Sequence, residues 1–235
     1  MQCARFILAT VSVVPDRSTS ALILFTLIVI FAASWWTFGV LVGRSTEQRH
    51  RVAMGEWGRE RGFRFRTISG ENIPPPLNTV RNYRLAINIC LASRKAMLGQ
   101  IETSQSKAAP GPLQAPSPTN RWHFLIVETG VAWPPTGLRP VALPQSALDL
   151  FSLSSFPLLG GSERFVLYGA ESQAAAALSR SSVRGILPAD VGLLLHGRKL
   201  LLDFSARPFD TIEFERMIVV ANQVVDHLPL PDSAK

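Results

Sequence analysis

One stretch of the chain, residues 21–43, runs for 23 residues without a charged side chain. A helix needs about 20 predominantly apolar residues to cross the hydrocarbon core of a bilayer, which is roughly 30 Å thick. Inside lipid, every backbone N–H and C=O group must be hydrogen-bonded within the protein, which favours a helix. The sequence therefore predicts one transmembrane helix at residues 21–43.

Two other interpretations of this stretch are weighed against a transmembrane helix. A buried helix of a globular domain rarely carries apolar side chains on every face over such a length. A cleaved signal peptide is suggested by the small residues Ala32, Ala33 and Ser34. However, the apolar run continues past them, whereas the apolar region of a signal peptide spans about 7–15 residues. The uncleaved span is the favoured interpretation.

Arginine residues are concentrated just after this stretch. Residues 44–66 contain seven arginines and three glutamates, whereas only Arg5 and Arg17 precede the stretch. Because basic residues are enriched on the cytoplasmic side of membrane helices, the N-terminus is expected outside and the large domain in the cytoplasm, with the protein in the cell membrane. The seven arginines either only fix this orientation or contact anionic lipid headgroups. They are Arg44, Arg49, Arg51, Arg59, Arg61, Arg64 and Arg66.

The charge of the chain favours acidic partners. The formal net charge is +7, of which the 44–66 segment supplies +4 (seven arginines less three glutamates). Nucleic acid is disfavoured, because no recognisable nucleic-acid-binding module accompanies the basic residues. The expected partners are therefore the lipid bilayer, anionic lipid headgroups, and a membrane or cytosolic protein.

The rest of the chain is long enough for one domain with its own core. Alternating apolar residues predict strands at 63–67, 83–91, 123–128 and 164–168, and a helix is expected over 171–187. The apolar segments 191–195 and 199–204 predict a hairpin that turns at Gly197. A final helix follows Asp210, which forms a capping-box pattern with Glu213.

The expected fold class is α+β: one N-terminal transmembrane helix, then a single domain of mostly antiparallel strands with two or three helices. The predicted organisation is a short N-terminal segment, the transmembrane helix, a basic juxtamembrane helix and strand, the α+β domain with a flexible Pro-rich loop, and a polar tail. In the same order, these segments are residues 1–20, 21–43, 44–66, 67–230 with the loop at 104–120, and 231–235.

Three short motifs occur in this order of elements: RGFRF at residues 61–65, ERFVLYG at 163–169 and GILP at 185–188. With them, the chain resembles a group of uncharacterised bacterial single-pass membrane proteins with a small cytosolic α+β domain. Such proteins have no assigned activity. The resemblance therefore implies a fold and no function.

No catalytic, cofactor-binding or metal-binding motif occurs in the sequence. The four histidines form no His-x-x-x-His pair, and no Gly-rich phosphate loop or nucleophile elbow is present. Cys3 and Cys90 flank the predicted span, so they are expected in different compartments, unable to form a disulfide or a shared metal site. We therefore expect no cofactor, no metal and no catalytic residue.

Three functional hypotheses remain. The leading one is a membrane-anchored binding module that catalyses nothing. The second is an enzyme whose site is assembled from scattered polar residues, which requires His123, Glu128 and Asp203 to share one deep polar pocket. The third is an accessory subunit of an envelope complex, in which the spacing of Gly39 and Gly43 lets another helix approach closely.

Overall fold

The computed structural model describes residues 17–68, 73–80, 83–105, 120–151 and 156–229. Within these ranges, side chains are not described for residues 17–23, 39–47 and 105. The chain divides into two units, Met1–Arg51 and Val52–Lys235. Residues 1–16 of the predicted N-terminal segment, most of the predicted Pro-rich loop and all of the predicted tail lie outside the described residues.

The first long element is helix α1, Arg17–Glu60, which has 44 residues. It continues through the basic segment, as the sequence predicted for the juxtamembrane helix, and is followed by Gly62 at φ +76°. Glycine reaches this left-handed conformation at no steric cost, which suits it to the position just past a helix.

The prediction of a transmembrane helix is wrong. Among the residues that the structure describes, no helix is both long enough and apolar enough to cross a membrane. The predicted single-pass membrane architecture, and with it the transmembrane part of the predicted fold class, is therefore wrong.

One sheet forms the centre of the second unit. In the described residues it has seven strands in the order β1-β2-β3-β4-β6-β5, with β7 paired to β4 outside that order. Every pairing is antiparallel, in agreement with the strand arrangement predicted for the domain. The strands are β1 Arg64–Phe65, β2 Tyr83–Ala92, β3 Ala96–Gln105, β4 Asn120–Pro140, β5 Leu158–Gly161, β6 Phe165–Gly169 and β7 Gly192–Asp203.

Strand β4 is much longer than the segment 123–128 predicted for it. It has 21 residues and continues through Trp133, Pro134 and Pro135, although proline is unusual inside a strand. Its first part pairs with β3 and its last part with β6, while β7 pairs with both parts. The register of the β4–β7 pair shifts around Trp133, so the prolines occupy an irregular stretch of the strand.

The predicted hairpin at Gly197 is also wrong. Residues 192–203 form the single strand β7, and Gly197, at φ +57°, lies opposite Trp133 at the register shift. Glycine at positive φ is common in β-bulges as well as in tight turns. The sequence pattern alone therefore does not separate a bulged strand from a hairpin.

The two faces of the sheet are covered by different helices. The predicted helix at 171–187 is divided into α2, Ser172–Arg180, and α3, Val183–Ile186; the final helix is α4, Thr211–Asp226. One apolar cluster lies between the sheet and α2, α3, α4 and the end of α1. A second cluster on the other face is closed by the short 3-10 helices Leu77–Thr79 and Ala147–Phe151.

The last turns of α1 belong to the second unit and pack into its core. Met54 is fully buried and Trp57 is 8% exposed. The Trp57 ring stacks on Phe63 at 5.6 Å and meets the edge of Phe214 at 5.3 Å. Its Nε1–H donates to the Glu215 carboxylate at 3.0 Å. The Nε1–H of Trp57 is thus hydrogen-bonded while its apolar ring is packed against other rings, as is typical of a buried tryptophan.

Gly99 in β3 gives the first testable prediction. A Cβ at this position would lie 2.6 Å from the Ile89 carbonyl oxygen and 2.7 Å from Cζ of Phe124. Because backbone and a buried ring must both shift, Gly99→Ala should lower the free energy of unfolding by about 1–3 kcal/mol. Urea denaturation measures this. The control is Gly130→Ala, where a Cβ meets nothing within 4 Å; equal effects of the two substitutions would contradict the packing described.

Candidate functional site

The structure does not bring the three scattered polar residues into one pocket. On β4 and β7, Phe124 lies opposite Asp203 and Glu128 lies opposite Lys199. Four residues of strand therefore separate Glu128 from Asp203, which is about 13 Å at 3.3 Å per residue. Glu128 instead accepts a hydrogen bond from Lys199 at 2.6 Å on the surface. The enzyme hypothesis loses one of its three residues.

His123 faces the apolar cluster beneath α4. Its Nδ1 lies 3.1 Å from the carbonyl oxygen of Arg207, and its Nε2 lies 3.1 Å from the side-chain nitrogen of Gln100. Because a carbonyl oxygen only accepts, Nδ1 carries the proton and Nε2 accepts from the Gln100 amide. Burial lowers the pKa of His123 below its ordinary value of 6.5. The ring also packs against Phe204 and Phe209.

Asp203 faces the opposite side of the sheet and is fully buried. One carboxylate oxygen accepts from the Ser146 hydroxyl and the Ala147 N–H, each at 2.7 Å. The other accepts from the hydroxyl and the N–H of Ser205, at 2.5 and 3.1 Å. Ser205 also accepts from the backbone N–H of His123 at 2.9 Å. Four donors fully occupy this carboxylate, so it fastens two loops to the sheet and is no general base.

A second polar cluster, which the sequence did not predict, lies at the start of α4. Arg207 donates through Nε and Nη2 to both oxygens of Asp190, at 2.9 and 2.7 Å, and through Nη1 to Glu213 at 2.6 Å. The hydrogen bond from Arg207 lowers the pKa of Asp190. Asp210 caps α4 as predicted, accepting from the N–H of Glu213 at 2.9 Å. A capping box also includes a hydrogen bond from the backbone N–H of the capping residue to the Glu213 carboxylate. Here that carboxylate binds Arg207 instead.

Cys90 is a buried residue of β2, as expected of a small apolar side chain in a strand. Burial raises the pKa of its thiol to about 11. It is therefore a neutral thiol at physiological pH, which is neither a nucleophile nor a metal ligand. In the described part of the chain, no three His, Cys, Asp or Glu side chains lie together as a metal site would require.

The seven predicted arginines do not have equal surroundings. Arg61 forms ion pairs with Glu60 and Glu215 and lies 5.1 Å from the centre of the Trp57 ring, so it helps to hold the last turns of α1 against α4. The side chain of Arg44 is not described. The others are exposed, and their contact with lipid headgroups stays a prediction: Arg49, Arg51, Arg59, Arg64 and Arg66.

The apolar part of α1 is the most exposed apolar surface among the described residues. All 15 residues from 24 to 38 are exposed, and ten of them are large apolar side chains. Trp35 and Trp36 are 72% and 74% exposed. Because consecutive residues point to different sides of a helix, this exposure extends around the whole helix. Gly39 and Gly43 follow in the same helix, and their role in helix packing stays a prediction.

A shallow groove of about 580 Å³ lies between residues 73–80 and the start of β2. Its described lining mixes aliphatic and polar side chains, with Arg84 as its charged residue.

Comparison with known proteins leaves the family open. No protein-family model matches the chain, and no curated protein is significantly similar to it. Among solved structures, the chain is similar to the crystal structure of the mycobacterial trehalose monomycolate transport factor A, TtfA, at a TM-score of 0.48 and 11% identity. The match covers 76% of this chain and 97% of that chain. A likeness this low carries no argument about function.

Asp203→Asn tests the structural role of the buried carboxylate. Either orientation of the amide places an NH₂ group against a backbone N–H that can only donate, at Ala147 or at Ser205. An unpaired buried donor costs about 1–3 kcal/mol, so the free energy of unfolding should fall by that amount. Chemical denaturation measures it. Asp226→Asn at an exposed position of α4 is the control, with an expected change within about 0.5 kcal/mol.

His123 gives a pH prediction. Its pKa in the folded protein lies below the ordinary value of 6.5, so the unfolded chain binds a proton more readily. The free energy of unfolding should therefore be unaffected by this group above pH 6.5 and fall as the pH decreases below it, down to the lowered pKa. Urea denaturation at several pH values measures the slope. His123→Gln should flatten it; an unchanged slope in that variant would assign the proton uptake to other groups.

Proposed function

We propose that the chain is a non-catalytic interaction protein whose apolar helix segment, residues 24–38, docks among helices of a different protein. The observation that carries this proposal is the exposure of ten large apolar side chains in that segment. Burying such a side chain contributes about 1.5–3 kcal/mol relative to leaving it in water. A surface of this kind marks an interface when it is large and continuous.

The distribution of these side chains favours a partner with several helices. A helix with one apolar face is satisfied by packing that face against a single neighbour. The ten large apolar side chains of residues 24–38 extend around most of the helix, with Thr26, Ser34 and Thr37 on the remaining side, so one neighbouring helix would leave much of the apolar surface in water. For the same reason, pairing with one second copy of this chain would be insufficient.

The described domain supports binding more than catalysis. Of the three polar residues that the sequence suggested for an active site, Glu128 lies apart, His123 and Asp203 face opposite sides of the sheet, and Asp203 is saturated by four donors. Arg207 and His123 likewise have their polar atoms occupied by neighbouring groups. These clusters hold loops and helices in place, which suits a rigid domain that presents a binding surface.

Site-specific photo-crosslinking in cells tests the proposal. A benzophenone amino acid is placed at Ile30, Phe31 or Trp36, which point in three directions around the helix at about 100° per residue. We expect all three positions to crosslink to one and the same protein, identified by mass spectrometry. The control position is Asn222, which is exposed on α4 and should give no such product.

Reconstitution with the identified protein completes the test. Phe31→Lys should weaken binding of the purified partner at least about tenfold, as expected when a charge enters a buried apolar interface. Val219→Lys, at an exposed apolar position of α4, should leave the affinity unchanged. Crosslinks to lipid alone, to a second copy alone, or from only one of the three directions would overturn the proposal.

A further inference from the structure

Five basic side chains from three separate parts of the chain lie in a row across neighbouring strands, where the β2–β3 turn lies beside β4 and β7. Arg64 of β1 pairs with Ala92, the last residue of β2, and the turn that follows contains Arg94 and Lys95. The carbonyl oxygen of Lys95 accepts from the backbone N–H of Glu128 at 3.1 Å. We name this surface the basic rim; it consists of Arg64, Arg94, Lys95, Arg198 and Lys199.

Several cations of the basic rim lie close enough together to act on one carboxylate, that of Glu128. Its pKa is lowered by the hydrogen bond and charge of Lys199, and further by the charges of Arg198 and Lys95. Three cations from two segments of the chain therefore surround a single exposed carboxylate. The rim carries five positive charges against the one negative charge of Glu128, which leaves a local excess of four.

The remaining cations of the rim are available to a partner. Arg64, Arg94 and Arg198 are exposed, and none of them forms an ion pair with another described residue. Unpaired arginines are strong donors to carboxylates, because their N–H groups match both oxygens.

We propose that the basic rim binds an extended acidic segment of a protein partner. The Glu128–Lys199 pair, with its 2.6 Å hydrogen bond, is the interaction that the partner's carboxylates would repeat along the rim. From β1 to β7 the rim crosses four strand spacings, about 19 Å, which an extended peptide covers with about six residues. This surface is separate from residues 24–38, so the inference goes beyond the interaction proposed for α1.

Binding of a labelled hexaglutamate peptide to the full-length chain tests the basic rim. Fluorescence anisotropy at low salt should show binding that weakens as salt is added, because charge pairs at an exposed surface are screened. The variant Arg94→Gln/Arg198→Gln should bind about tenfold more weakly, since charge pairs guide and hold such a complex. Both side chains are exposed and unpaired with other described residues, so thermal unfolding should be unchanged.

The matched control removes two positive charges elsewhere. Arg84→Gln/Arg180→Gln changes the net charge equally at exposed positions on the start of β2 and the end of α2. We expect this variant to keep its affinity within about twofold, as for charges far from an interface. Equal losses in the two variants would show that only net charge matters and would overturn the site.

Two further probes decide the class of partner. A six-nucleotide oligothymidylate and vesicles with phosphatidylglycerol are measured against the same variants. Weaker or rim-independent binding of both probes supports the acidic peptide. Tighter binding of either probe than of hexaglutamate, lost in the rim variant and kept in the control, would overturn it in favour of nucleic acid or of lipid.

Discussion

The pairing of β4 with β7 is the interaction on which the rest of the domain depends. β4 is long enough, at 21 residues, to join two groups of strands: β3 leads to β2 and β1, and β6 leads to β5. β7 alone runs beside both parts of β4, and nearly every residue at its two ends is fully buried. Helix α4 and the 3-10 helix at 147–151 then pack on opposite faces of this pair. A register slip here would exchange the two faces and expose both clusters.

The buried polar groups fix how the loops meet this central pair. Asp203 ends β7 and binds the loop before the 3-10 helix on one face, while Ser205 joins it to the backbone of β4. On the other face, His123 binds the carbonyl oxygen of Arg207, whose guanidinium holds Asp190 and the first turn of α4. A buried carboxylate is tolerated only when its oxygens are satisfied, so such networks specify one loop arrangement more than they stabilise it.

Sequence reasoning succeeded where a local pattern has one structural outcome. Alternation predicted strands at 83–91 and 123–128, and the Asp210 cap predicted the start of α4. It failed where one pattern has two outcomes: Gly197 suits a turn or a bulge, and a charge-free run suits a membrane or another apolar environment. It missed β3, whose AMLGQIETSQ sequence mixes apolar and polar residues without clear alternation. The Arg207–Asp190 pair and the basic rim join residues distant in sequence, so no spacing rule reveals them.

The two proposed surfaces differ in how much a partner must contribute. Residues 24–38 already cost free energy while they are exposed to water, so an apolar partner gains from covering them without exact positioning of polar groups. Exposure of the basic rim to water costs little free energy, because exposed arginines and lysines are well solvated. A partner would therefore gain from binding there only if its carboxylates matched the positions of these cations. The two proposals are therefore complementary: burial on the helix would supply affinity without selecting a partner, and position-dependent charge pairing on the domain would select one.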